Sequence, residues 1–268
     1  MIDFDFALLR TIGFTQTIAG HLHTLGAIPD NARLVRITRV HRDRVSVHDG
    51  LTQSNARAPL SGNLATGDWA ALHEGRIVAL MAPVSHLTRR TSEGRSQAIA
   101  SNIDTSLLVM GLDHDYNPRR LERYLALVHA AGVAPVVVLT KADIGTGVER
   151  KREELQARLP STIPIVAVNG LDATSATVLA PWLGAGQTLI LLGSSGAGKS
   201  TLTNTLAGSA QATGGVRADD SRGRHTTTAR SLHQCAGGAC IIDTPGLRSL
   251  QPALDEDELA ASFDDIDA

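Results

Sequence analysis

The run Gly193-Ser194-Ser195-Gly196-Ala197-Gly198-Lys199-Ser200 constrains this chain more than any other feature. It fits G-x-x-x-x-G-K-[ST], follows the apolar stretch TLILLG and precedes TLTNTLAG, which read as a strand and a helix. In that setting the glycines let backbone N–H groups converge on an anion, and the helix N-terminus adds positive potential. Lys199 is then placed to bridge the β- and γ-phosphates of a nucleotide, Ser200 to bind Mg²⁺ and Thr201 to reach the α-phosphate. Such a loop belongs at the carboxyl end of a strand in a mostly parallel sheet.

Two further segments extend the phosphate site. Asp243-Thr244-Pro245-Gly246 follows the apolar run CII and fits D-x-x-G. There Asp243 can hold the Mg²⁺ shell and the Gly246 amide can sense a γ-phosphate. Between the two motifs lies Gly223-Arg224-His225-Thr226-Thr227-Thr228, where a switch threonine is needed to complete the metal shell. Thr227 is the first choice, with Thr226 and Thr228 as alternatives. Leu247 stands where a Gln often orients the attacking water, and a hydrophobic side chain cannot do that job. His225 is the nearest group that can, so Lys199, Thr227 and His225 are the candidate catalytic residues.

The base is read by Thr140-Lys141-Ala142-Asp143, about fifty residues before the phosphate loop. The Asp143 carboxylate can accept from guanine N1–H and N2–H₂ together, whereas adenine presents an acceptor at N1. Lys141 can lie along the ring and brace the phosphate loop. Thr140 replaces the usual Asn and offers one hydroxyl in place of an amide. A bond to the base edge or to the neighbouring loop is therefore expected to be lost, at the expense of affinity more than specificity. Ala167-Val168-Asn169 is the matching segment, whose backbone amide can bond guanine O6.

Patterning divides the chain of 268 residues into five parts. Residues 1–31 are weakly patterned and read as a partly ordered arm. Residues 32–84 alternate in short strand-like pieces and read as a small β-barrel of the OB-fold type. The polar, basic stretch 85–97 reads as a linker. Residues 98–250 alternate strand and helix signals, with SLHQCAGGACIIDTPG as a hairpin, and 251–268 form an acidic tail. From Arg33 to Arg95 there are ten arginines against five acids, while the tail carries seven acids and no base. Arg33, Arg36, Arg39, Arg42 and Arg44 on the barrel, with Arg89, Arg90 and Arg95 on the linker, are candidate contacts to an RNA backbone. Aromatic residues make up only 3%, so base stacking is expected to be minor. Two cysteines, no apolar run long enough to span a bilayer and no signal-like N-terminus point to a cytoplasmic protein without membrane attachment.

The order of the motifs, base reader first and phosphate loop after it, is a circular permutation of the usual one. Together with the barrel, and with QAIASNIDTSLLVMG, GSSGAGKSTLTN, SRGRHTTTAR and IIDTPGLRSL, it resembles the ribosome small-subunit-dependent GTPase A (RsgA) family over residues 32–266. The resemblance implies a GTPase that binds GTP/GDP and Mg²⁺, and a monomer is expected. It also implies action late in maturation of the small (30S) ribosomal subunit, contact with 16S rRNA, and hydrolysis stimulated by that subunit. The family usually ends in a zinc-binding module with a Cys/His cluster. The sequence stops at FDDIDA before that module, so a truncated sequence is expected, the alternative being a branch that lacks the module, and no zinc is expected in this chain.

Two other classes share these motifs. An ATP-dependent enzyme could use the same phosphate cradle, against which Asp143 argues. A nucleotide-gated RNA-binding module with little turnover would account for Leu247 and Thr140.

Overall fold

The computed structural model describes residues 4–59, 63–90, 96–211, 230–235 and 237–244. Two short helices, α1 (Phe6–Arg10) and α2 (Gln16–Ala19), open the chain. Each is capped by its own side chain: Asp5 accepts from the Leu8 amide and Thr15 from the Ile18 amide. The segment read as a partly ordered arm is packed against the barrel in its described residues. Ile12 and Phe14 are fully buried, and Phe14 meets Phe4, Phe6 and Trp69 edge to face. Helices of four and five residues carry too little periodicity to be seen in sequence; their order comes from apolar contacts with the barrel.

Strands β1 (Arg33–Val40), β2 (Arg44–His48), β3 (Gln53–Arg57), β4 (Trp69–His73) and β5 (Arg76–Leu80) close into a barrel in the order β1-β2-β3-β5-β4. All neighbours are antiparallel except β3 and β5. That closed five-stranded arrangement is of the OB-fold type. Its interior is filled by the inward residues of the alternating strands, among them Val35, Ile37, Val45, Val47 and Ile77.

The stretch expected to be a linker forms strands too. β6 (His86–Arg90) pairs antiparallel with β7 (Ser96–Ser101). Leu87, Ile99 and Ala100 from these two strands enter the core of the α/β domain, which explains why strands form within a polar stretch.

The α/β domain contains β8 (Thr105–Gly111), α3 (Pro118–Ala130), β9 (Ala134–Thr140), α4 (Val148–Arg158), β10 (Ile165–Ala167), α5 (Thr174–Val178), β11 (Thr188–Leu192), α6 (Lys199–Gln211), β12 (Ser231–Gln234) and β13 (Cys240–Asp243). Among the described residues its sheet runs β10-β9-β8-β11-β13-β12, parallel except for the last strand. β8 and β11 are buried along their whole length, as parallel strands covered on both faces must be. β12 and β13 form the expected antiparallel hairpin.

One buried cation joins the two parts. Arg36, expected from sequence to meet RNA, is fully buried. Its guanidinium donates to Ile12 O (2.6 Å), Thr188 Oγ1 (2.9 Å), Asn102 O (3.0 Å) and Gly67 O (3.3 Å). Four segments thus converge on one side chain that water does not reach. The sequence pattern suggested an exposed arginine because arginine is rarely buried without such a set of acceptors.

Candidate functional site

The strand order places the nucleotide motifs of the described residues on one edge. β9 ends at Thr140, β10 at Ala167, β11 at Leu192 and β13 at Asp243, and these four strands run parallel. Ligands of open parallel sheets bind outside such an edge. The base reader and the phosphate loop therefore share a site although they are far apart in the chain.

They also touch. The Thr140 hydroxyl, fully buried, donates to Ala197 O at 2.5 Å. Of the two bonds that the replacement of Asn put at stake, the one to the neighbouring loop is made by the hydroxyl. The next residue, Lys141, takes a left-handed backbone (φ +60°), which non-glycine residues adopt at some cost. Its carbonyl accepts from the Gly145 amide at 2.9 Å, closing the turn, and Asp143 lies exposed on it. The partner segment is tied in by Val168 N donating to Leu139 O (2.8 Å) and Ala142 N donating to Val168 O (3.2 Å). Asn169 accepts from the Leu171 amide through Oδ1 and from the Ser175 hydroxyl through its carbonyl.

The phosphate loop needs its glycines for space. A Cβ on Gly193 would lie 2.2 Å from Val109 O, and Gly198 has φ +92° with Thr140 packed against it. Lys199 is almost wholly buried, and its ammonium donates to Gly193 O (2.8 Å) and Ser194 O (2.6 Å). Burial pulls its pKa down, while Asp243 and Asp115 act in the opposite sense. Ser195, Gly196 and Ser200 are exposed, and Thr201 is half-buried.

Asp243 closes the edge. Its Oδ1 is buried and makes no hydrogen bond, and burial raises its pKa against the opposing influence of His233 and Lys199. A carboxylate oxygen in that condition suits a cation or a cation's water ligand, so the residues present fit Mg²⁺ with Asp243 and Ser200 as holders. The Thr244 hydroxyl donates to Leu191 O at 2.7 Å and pins the residue after Asp243 to β11.

The loop after β8 contributes residues that the sequence reading missed. Asp113 accepts from Lys141 Nζ at 2.7 Å. Asp115, buried, accepts from Ser194 Oγ (2.5 Å), the Gly111 amide (3.0 Å) and Arg120 Nη2 (2.6 Å). Two acids from one short loop thus brace the base reader and the phosphate loop. Their position just past a strand ending on the same edge was the available signal.

Among the RNA candidates, Arg33, Arg42 and Arg44 are exposed on the barrel, with Arg33 paired to Asp49 at 3.0 Å. Arg39 and Arg89 are half-buried. His225, Thr226, Thr227, Thr228, Gly246 and Arg95 lie outside the described residues, as does the side chain of Arg90.

The profile of the RsgA GTPase family matches residues 81–253. A protein of Xanthomonas oryzae pv. oryzae (strain MAFF 311018) called small ribosomal subunit biogenesis GTPase RsgA is 51% identical over 221 residues, covering 79% of this chain and 59% of that protein. Its namesake in Xanthomonas euvesicatoria pv. vesicatoria (strain 85-10) is 50% identical over the same length and coverage. The chain therefore spans 59% of the length of these curated relatives. The crystal structure of YjeQ from Thermotoga maritima superposes with a TM-score of 0.61 at 22% identity, covering 82% of this chain and 77% of that one. The structure of YloQ, described as a circularly permuted GTPase, gives 0.61 at 20% identity over 90% of this chain and 82% of that one. These two likenesses concern the fold: a barrel followed by a permuted α/β domain. With the fold, the site geometry and the sequence match in agreement, the chain belongs to the RsgA GTPase family.

Proposed function

We propose that this chain is a GTP phosphohydrolase that acts in late maturation of the small ribosomal subunit, with hydrolysis stimulated by that subunit. The observation that carries the reading is the Thr140–Ala197 hydrogen bond, which joins a guanine-type base loop to a phosphate loop in one site. The names of the curated relatives supply the ribosomal context.

In this reading the Asp143 carboxylate accepts from the guanine edge, and the Val168–Asn169 backbone meets O6. Thr140, Lys141 and Ala142 shape that pocket. The backbone amides from Gly193 through Thr201 cradle the phosphates, and Lys199 swings from its carbonyl partners onto the β- and γ-phosphates. Ser200 and Asp243, with Thr227, would hold Mg²⁺, which when bound neutralises charge on the phosphates. His225 orients the attacking water and the Gly246 amide reports the γ-phosphate. The absence of a Gln after DTPG makes unstimulated hydrolysis slow. Arg33, Arg39, Arg42 and Arg44 on the barrel, with Arg89, Arg90 and Arg95, meet 16S rRNA phosphates, and a monomer in the cytoplasm suffices.

The test is GTP turnover titrated with purified 30S and 50S subunits. Stimulation by 30S alone, abolished in Lys199→Ala and strongly reduced in His225→Ala, is the expected result. Equal turnover with either subunit, or with none, would reject the proposal. Displacement of a fluorescent GDP by GTP but not ATP tests the base assignment separately.

A further inference from the structure

The turn from β8 into α3, Asp113-His114-Asp115-Tyr116-Asn117-Pro118-Arg119-Arg120, places charge against local preference. Asn117 caps α3, its Oδ1 accepting from the Arg120 amide at 3.1 Å, so Arg119 and Arg120 fall in the first turn. The helix dipole disfavours cations there, and the first turn holds no acid to offset them. A local conflict of this kind points to a partner elsewhere in the fold. Arg119 is exposed, whereas Arg120 is half-buried and bends back to Asp115. Its Nη2 donates to the Asp115 carbonyl and, at 2.6 Å, to Asp115 Oδ1.

That same Oδ1 accepts from Ser194 Oγ at 2.5 Å, and Ser194 O in turn accepts from the Lys199 ammonium at 2.6 Å. One carboxylate oxygen therefore ties Arg120 to the phosphate loop, next to the residue on which the loop's lysine rests. The close approach needs Gly111, where a Cβ would lie 2.6 Å from Asp113 Oδ1 and 3.3 Å from Asp115 Cβ. A buried carboxylate beside a phosphate cradle, left without a counter-charge, repels phosphate oxygens and draws away the lysine that should meet them. Lys199 instead rests on two neutral carbonyls, which an ammonium gives up more readily than a carboxylate. Asp115 and Arg120 act on the Lys199 pKa in opposite senses, as the members of a compensated pair do.

We propose that Arg120 is a positioning residue of the nucleotide site. It occupies Asp115, so that the carboxylate braces the phosphate loop through Ser194 without repelling phosphates or capturing Lys199. The inference rests on the nucleotide reading of the site and adds to it a residue that belongs to none of the nucleotide motifs. Because the task of Arg120 is to cancel a charge beside the phosphates, its effect grows with the number of phosphates on the ligand and vanishes for a nucleoside. A residue that only held the fold together would affect every ligand alike.

The experiment displaces a fluorescent GDP with guanosine, GDP and a non-hydrolysable GTP analogue at low and high salt. The proteins are the parent, Arg120→Gln, Arg120→Lys, Asp115→Asn and the double variant Asp115→Asn/Arg120→Gln. Arg120→Gln should leave guanosine binding within about twofold of the parent, weaken GDP about tenfold and weaken the triphosphate analogue more. High salt should narrow these losses, because repulsion is screened and a lost packing contact is not. Arg120→Lys keeps the charge and should stay within about threefold of the parent, and the double variant should recover most of the lost GDP affinity. Where Arg120→Gln is too unstable to assay, Asp115→Asn carries the test. It leaves Arg120 uncompensated, so binding of the triphosphate analogue should depend on salt more steeply than in the parent, and an equal or shallower dependence would overturn the proposal. Salt-independent losses shared equally by guanosine and GDP, or a double variant no better than Arg120→Gln, would also overturn it. A parent that binds no GDP would sink the nucleotide reading and this inference with it, whereas variants matching a parent that does bind GDP would sink the inference alone.

Discussion

Replacing Arg36 by Met keeps the length of the side chain but removes the guanidinium that four segments share. Gly67 O keeps a donor, because Asn102 Nδ2 reaches it at 3.0 Å. Ile12 O and Asn102 O lose the side-chain bonds described above, and each stranded carbonyl costs roughly 1–3 kcal/mol. Part of that loss is offset, since a buried guanidinium that among the described residues meets no carboxylate directly no longer has to be desolvated. The net expectation is a destabilisation of about 2–4 kcal/mol, a large share of the roughly 5–15 kcal/mol that holds a domain together. Urea unfolding followed by tryptophan fluorescence reads it, since the Trp69 ring lies 5.5 Å from the Arg36 guanidinium carbon. RNA affinity should show no change in salt slope for Arg36→Met, whereas Arg42→Ala should reduce that slope by about 1. A variant as stable as the parent, or one with a reduced salt slope and parental stability, would refute the assignment of Arg36 as an interior clasp.

Thr140→Val removes the hydroxyl while keeping shape, so GDP affinity should fall about three- to tenfold, the worth of one neutral hydrogen bond, in a fluorescent-nucleotide titration. Asp243→Asn should act oppositely on stability and on function. The folded pKa of Asp243 is raised, so its contribution to stability is fully present below the ordinary carboxylate value and is lost as pH rises through the raised value. The neutral Asn should therefore raise the melting temperature of the ligand-free protein at pH 7 but not at pH 3, and should weaken Mg²⁺-dependent nucleotide binding. Burial pushes the Cys235 thiol up to about 12 and the Cys240 thiol up to about 11, so neither should react with a thiol reagent at pH 8 until denaturant is added.

The nucleotide edge was legible because its motifs are local: GSSGAGKS and DTPG each follow an apolar strand, and each strand's end is fixed by its own residues. The antiparallel pairing of β12 and β13 was legible for the same reason. What escaped depends on contacts distant in sequence. Phe14 gives no periodic signal, yet it is buried because Trp69 and two other phenylalanines surround it. Arg36 sits among the basic residues of a strand and is distinguished by acceptors supplied from residues 12, 67, 102 and 188. Asp113 and Asp115 look like ordinary turn residues until Lys141 and Ser194 are brought to them by the sheet.

The hydroxyl that Thr140 lends to Ala197 has a thermodynamic corollary. A purine seated on one loop stiffens the other, so the two ends of the ligand are not sensed independently. Guanosine and pyrophosphate offered as separate molecules should each improve the binding of its companion, and an intact nucleotide should exceed the combined strength of its fragments by more than their covalent tethering accounts for.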